Sequence, residues 1–159
     1  MSELSNLAKQ VVKELKEKGL FITTVESCTG GGVANCITNV EGASDVMKSA
    51  WITYSNDAKF DVGVLPDVVD AYSVYSAEAA VAMAWAGASK AQADIAVGIT
   101  GQLSFPDPEL GNRVFIAVGF GDTMKSAEVT FPAEYERWKA KDDVIKKSLQ
   151  LVLDVVSAL

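Results

Sequence analysis

The segment Phe21-Ile22-Thr23-Thr24-Val25-Glu26-Ser27-Cys28-Thr29-Gly30-Gly31-Gly32 constrains this chain more than any other. Its first five residues are β-branched or aromatic, the composition of a strand. Three consecutive glycines then let the backbone turn sharply, and Val33–Val40 carries apolar residues at helical spacing. A strand, a glycine-rich turn and a helix N-terminus in that order open an α/β unit. The same geometry brings backbone amides to one point, which suits a phosphate or a developing oxyanion. Ser27 falls at the carboxyl end of the strand, where open α/β sheets hold their ligands. On this segment alone, a tight turn with a capping hydroxyl accounts for the pattern equally well.

The rest of the chain alternates in the same way. Residues 2–18 place Leu4, Leu7, Ala8, Val11, Val12 and Leu15 on one helical face, and Gly19 ends the helix. A second strand is expected around Ala50–Tyr54, after which Ser55 caps a short helix. Ser76 caps a long alanine-rich helix from Ala77 to about Ala91, and Asp94–Thr100 reads as a buried strand ending at Gly101. Beyond a proline- and glycine-bearing loop over 102–112, Val114–Val118 and Ala127–Phe131 pair as a hairpin across Gly121-Asp122. A last helix covers about 134 to 157. These elements predict one α/β domain over 1–159, a three-layer α/β/α sandwich whose mixed sheet is mostly parallel with a C-terminal antiparallel hairpin.

Composition prunes the chemistry. The chain contains no histidine, which excludes Ser-His and Cys-His catalysis and histidine metal sites. Its two cysteines, Cys28 and Cys36, are too few for a thiolate zinc site, so no metal is expected. Cys28, with no nearby cation in sequence, reads as a structural thiol, and Cys36 as a core residue. With 14 basic against 21 acidic residues and a net charge of −7, there is no electrostatic footprint for nucleic acid. No apolar run approaches the roughly 18 residues that span a bilayer, and the first residues lack the order of a secretory signal. No membrane association and a cytoplasmic location are the expectation.

A hydrolase without histidine must take its base from Lys, Tyr, Asp or Glu. Lys59, after Tyr54-Ser55-Asn56 at the end of a predicted strand, is placed to reach back over the ligand edge of the sheet. A desolvated lysine with a lowered pKa is the natural base for a serine nucleophile. On an exposed helix the same residue is only a solvated charge. Arg137 and Lys141 open the last helix, where cations oppose the helix dipole. Anion binding is one reason for them; pairing with Glu136, Asp142 or Asp143 is the other.

Together these residues resemble the CinA C-terminal domain family, whose stand-alone members are nicotinamide mononucleotide deamidases. Val25-Glu26-Ser27-Cys28-Thr29-Gly30-Gly31 is similar to the family's opening motif, and Thr53-Tyr54-Ser55-Asn56-Asp57-Ala58-Lys59 to its Tyr-Ser-Asn-x-x-Lys segment. Gly42-Ala43-Ser44, Gly63-Val64, Met83-Ala84 and Thr100-Gly101 match more weakly. The resemblance implies hydrolysis of a nucleotide carboxamide with Ser27 as nucleophile, Lys59 as its base and Tyr54 beside them. It implies Ser44, Thr100, Gly101 and Arg137 as substrate contacts, and amides around Thr29, Gly30 and Gly31 as donors to the oxyanion or ligand. It further implies no cofactor and a homodimer.

The chain also departs from the family. The family's glycine-rich stretch after Thr100-Gly101 is replaced by Gln102-Leu103-Ser104-Phe105-Pro106-Asp107-Pro108-Glu109-Leu110-Gly111-Asn112, whose acidic pair would repel a phosphate. The family's Gly-Ala-Val-Ser becomes Ser73-Val74-Tyr75-Ser76, and its Phe-x-Gly-Asp-Arg aligns with Phe131–Arg137 once two extra residues are allowed. Three readings follow: a deamidase of nicotinamide mononucleotide, an amidase for a related amide, or a catalytically silent relative that binds a nucleotide or another small anion.

Overall fold

The computed structural model describes residues 2–104 and 112–159; the acidic pair Asp107 and Glu109, with Phe105 between Ser104 and Pro106, lies outside the described residues. Five strands, β1 (Ile22–Glu26), β2 (Trp51–Ile52), β3 (Ile95–Gly101), β4 (Asn112–Phe120) and β5 (Thr123–Phe131), form one sheet in the order β2-β1-β3-β4-β5. β1 runs parallel to both β2 and β3, while β4 is antiparallel to β3 and β5 to β4. Four strands therefore point one way and β4 alone is reversed. Helices α1 (Glu3–Lys18), α2 (Gly32–Thr38) and α6 (Arg137–Ser157) cover one face, and α5 (Ala77–Ala91) with α3 (Asn56–Val62) and α4 (Pro66–Tyr72) covers the other. The expected sandwich is present.

Local chemistry sets most boundaries. Ser2 caps α1 by accepting from the Ser5 amide, and Gly19 ends it in the left-handed conformation at φ 66°. Ser55 and Ser76 accept from Ala58 and Ala79 at the starts of α3 and α5. The hairpin pairs Phe120 with Thr123 and continues to Asn112 and Phe131, longer than the expected strands, because the two-residue turn with Gly121 at φ 56° keeps the register. Helix α4 was not expected from sequence. Pro66 at its first position is the available signal, but no residue of α4 is buried, so no apolar face announces it. β2 is shorter than expected, two residues, and its pairing with β1 closes as the Thr53 amide donates to Glu26 O at 2.7 Å.

The central strands are buried along their whole length. Thr23 and Thr24 are tolerated there because their hydroxyls donate to Ser49 O and to a Glu26 carboxylate oxygen. Ala79, Ala80, Met83, Ala84 and Gly87 form the buried side of α5, and all but Met83 are small, which lets the helix lie close on the sheet. A Cβ at Gly98 would stand 2.0 Å from Ala80 O and 2.8 Å from Ala84 N. Gly98→Ala should therefore lower stability by about 3 kcal/mol, as overpacking a rigid contact does, read as a lower urea midpoint. An unchanged midpoint would mean that α5 does not press on β3 at this point.

Candidate active site

Glu26 ends β1 with its side chain fully buried, and it organises the turn that follows. One carboxylate oxygen accepts from Thr29 Oγ1 at 2.7 Å and the Val33 amide at 2.9 Å. The other accepts from Thr24 Oγ1 at 2.9 Å and the Ala34 amide at 3.0 Å. Val33 and Ala34 lie in the first turn of α2, whose N-cap, Gly31 at φ 92°, has no side chain to satisfy them. A carboxylate on a neighbouring strand thus does the work of a helix cap. The turn is closed further by the Gly30 amide donating to Ser27 O and the Gly32 amide to Thr29 O. Those two amides are spent inside the turn.

Ser27 follows on the opposite side of the strand from Glu26, with its amide held by Ile99 O at 3.1 Å. Its hydroxyl faces Lys59. The Lys59 Nζ donates to Ser27 Oγ at 3.1 Å and to Thr53 O at 2.6 Å. Lys59 is 2% exposed, the largest fully buried side chain described, and none of the described ion pairs includes it. Burial lowers its pKa below the ordinary lysine value, with the Cys28 thiol working weakly the other way. In the neutral amine, a bond to Thr53 O fixes one N–H and turns the lone pair toward the serine proton.

Cys28, next to the serine, is pushed up to about 12 by burial, against weaker pulls from its own backbone amide, Arg137 and Lys59. It is a protonated thiol at neutral pH, not a competing nucleophile. Cys28 and Cys36 are both free. Among the described residues no group of three His, Cys, Asp or Glu side chains is placed to hold a metal, and no helix is long and apolar enough to cross a membrane.

A cavity of about 450 Å³ opens over the Ser27–Lys59 pair. Tyr54, Tyr75, Gly101, Ser104 and Arg137 are among its lining residues. Arg137 donates through one guanidinium nitrogen to Ser104 Oγ at 2.6 Å and through the other to Tyr54 Oη at 2.8 Å. None of the described ion pairs includes Arg137; Asp143 takes the Tyr135 hydroxyl and Glu136 the Trp138 ring N–H. The arginine therefore stands over the cavity without a described counter-ion, able to meet an anionic group.

The expected site residues divide into four sets. Ser27, Lys59, Tyr54, Gly101 and Arg137 share the cavity. Thr100 is fully buried beside them, its hydroxyl donating to Val74 O at 2.9 Å, so it shapes the wall without lining it. Thr29, Gly30 and Gly31 line a different concavity on the other side of the turn, together with Lys141. Ser44 is exposed in a single 3₁₀ turn and lines neither. It precedes Val46, whose carbonyl receives the Ile22 amide at the start of β1, and so lies toward the end of that strand away from Ser27. Tyr75, Ser104 and the Thr53 carbonyl were not marked by the sequence as site groups. They come from connecting segments whose course no local pattern sets.

This is an α/β/α domain that carries a buried serine–lysine pair at the carboxyl edge of its sheet, under an arginine. The description of the CinA C-terminal domain matches residues 4–156, and the chain belongs to that family. It is 36% identical over 152 residues to a putative competence-damage inducible protein of Caldicellulosiruptor saccharolyticus, covering 90% of this chain and 37% of that protein. It is 41% identical over 107 residues to the nicotinamide-nucleotide amidohydrolase PncC of Escherichia coli (strain K12), covering 67% of this chain and 64% of that protein. The chain thus spans less than two thirds of the length of either relative. Among solved structures it superposes on the competence/damage inducible protein CihA from Agrobacterium tumefaciens with TM-score 0.92 at 25% identity, covering 99% of this chain and 97% of that one. A CinA superfamily protein from Klebsiella pneumoniae gives TM-score 0.91 at 21% identity over 99% and 100% of the two chains, a likeness of fold.

Two outcomes are expected. Glu26→Gln should cost about 1–3 kcal/mol in urea denaturation, because either orientation of the amide turns its NH₂ toward one backbone N–H and leaves it unpaired; equal stability would show that the four bonds do not act together. Lys59 carries a pH signature. Its folded-state pKa lies below the unfolded value of about 10.4, so between the two the unfolded chain binds a proton that the folded chain does not. Stability drawn through this group therefore rises as pH climbs through the folded value and levels off above the unfolded one. From pH 7 to 10 the parent should gain stability relative to Lys59→Met, and a constant difference would show the lysine is not desolvated.

Proposed function

We propose that this chain hydrolyses the carboxamide of nicotinamide mononucleotide, releasing ammonia and nicotinate mononucleotide. The observation that carries the reading is the 3.1 Å contact between Ser27 Oγ and the buried Lys59 Nζ, beneath a cavity that also holds Arg137. The similarity to the amidohydrolase PncC supports the substrate class. Neutral Lys59 takes the Ser27 proton as the oxygen attacks the amide carbon. The resulting tetrahedral adduct collapses when the lysine ammonium returns that proton to the departing nitrogen, leaving an acyl-serine and free ammonia. Water then attacks the ester with Lys59 again as base, and the carboxylate leaves with Ser27 restored. Arg137 offers its guanidinium to the phosphate or to the product carboxylate. Tyr54 holds that guanidinium in place.

The test is ammonia release from nicotinamide mononucleotide by the purified protein. Ser27→Ala and Lys59→Met should each lower kcat by at least about 10³-fold while remaining folded. Because the lysine must be neutral to act and its pKa is lowered, kcat/KM of the parent should rise with pH and reach its plateau below pH 10.4. Undiminished turnover in both variants would remove the serine–lysine assignment; no release by the folded parent would remove the substrate.

A further inference from the structure

The segment between α4 and α5 is held in a conformation that its own residues disfavour. Ser73 sits at φ 76° and ψ 155°, a region open in practice to glycine alone. A strain of this kind persists only where neighbouring contacts over-determine the backbone. Here they do. The Ser76 hydroxyl donates to Ser73 O at 2.8 Å, the Tyr75 amide donates to Ser73 Oγ at 3.2 Å, and the buried Thr100 hydroxyl ties Val74 O to β3 at 2.9 Å.

This rigid segment does not bury the side chain it carries. Tyr75 is 48% exposed, belongs to none of the described core clusters, and yet lines the cavity over Ser27 and Lys59. Among the described residues its ring has no aromatic or cationic partner and its hydroxyl no hydrogen bond. A large, flat, partly desolvated surface at a cavity wall, fixed by a strained backbone, is suited to stacking on a flat ligand. The other exposed tyrosine of the cavity, Tyr54, has its hydroxyl engaged with Arg137 at 2.8 Å, so the two rings have different tasks.

We infer that Tyr75 is a specificity-determining residue whose ring stacks on the aromatic ring of the substrate and selects a heteroaromatic carboxamide over an aliphatic one. The inference rests on the reading of the site as an amidase for a pyridine nucleotide and adds the residue that recognises the pyridine.

The experiment measures Kd for nicotinamide mononucleotide by calorimetry in Ser27→Ala protein, alone and combined with Tyr75→Phe or Tyr75→Leu, beside ammonia release by the parent. Phenylalanine keeps the ring and leucine keeps only apolar bulk. Binding about tenfold weaker with leucine and within about twofold with phenylalanine supports stacking. Equal affinity in all three proteins, equal losses in both variants, or no binding at all overturns it. Ammonia release with a Kd indifferent to Tyr75 leaves the deamidase reading standing without this residue. A ring-dependent Kd without ammonia release keeps the stacking role and removes the reaction.

Discussion

The carboxylate of Glu26 is the fixed point on which the site depends. A buried charge of this kind costs several kcal/mol to desolvate and persists only when its oxygens are fully engaged. Both oxygens here take one hydroxyl and one backbone N–H. By drawing the first amides of α2 toward the end of β1, they set the distance between strand and helix and leave the turn between them no freedom. Ser27 is the residue immediately after this anchor. Its position is inherited from a group that never touches the cavity.

A second constraint meets the first from the other side. Thr53 donates its amide to Glu26 O and accepts the Lys59 ammonium on its carbonyl, so one residue joins the strand that carries the serine to the helix that carries the lysine. Burial of Lys59 opposes its own charge, which in a structural residue would be a plain loss of stability. Next to a serine hydroxyl, the same desolvation lowers the lysine's pKa and so favours the amine that the proposed reaction needs as its base. The chain has no histidine with which to do this otherwise. α5 is seated closely on β3 at Gly98 and on β1 at Gly87.

Arg137 illustrates how far the site is assembled across the chain. It stands at the first position of α6, yet its two guanidinium contacts are Tyr54 beyond β2 and Ser104 beyond β3. Four residues after it, about one helical turn on, Lys141 is directed to the other side of the glycine turn, against Gly30. Two basic residues in one helical turn thus serve two different surfaces. Their spacing alone does not separate them, because the distinction depends on where the Ser27–Gly32 loop passes beneath the helix.

The sequence by itself determined the alternation of strands and helices, the serine caps at Ser55 and Ser76, the turn at Gly121, and Ser27 and Lys59 as candidate partners. All of these follow from local rules: backbone freedom at glycine, hydroxyl capping, apolar period, and the absence of histidine. The tertiary structure decided which donors surround Glu26, that Thr29, Gly30 and Gly31 face a separate concavity, that Ser44 lies away from Ser27, and that Tyr75 stands on the cavity wall. The donors around Glu26 come from within eight positions, but only the folded turn brings them to one carboxylate. The other facts depend on contacts between residues tens of positions apart, and a one-dimensional pattern carries no information about which side of a turn or helix a distant segment will cover.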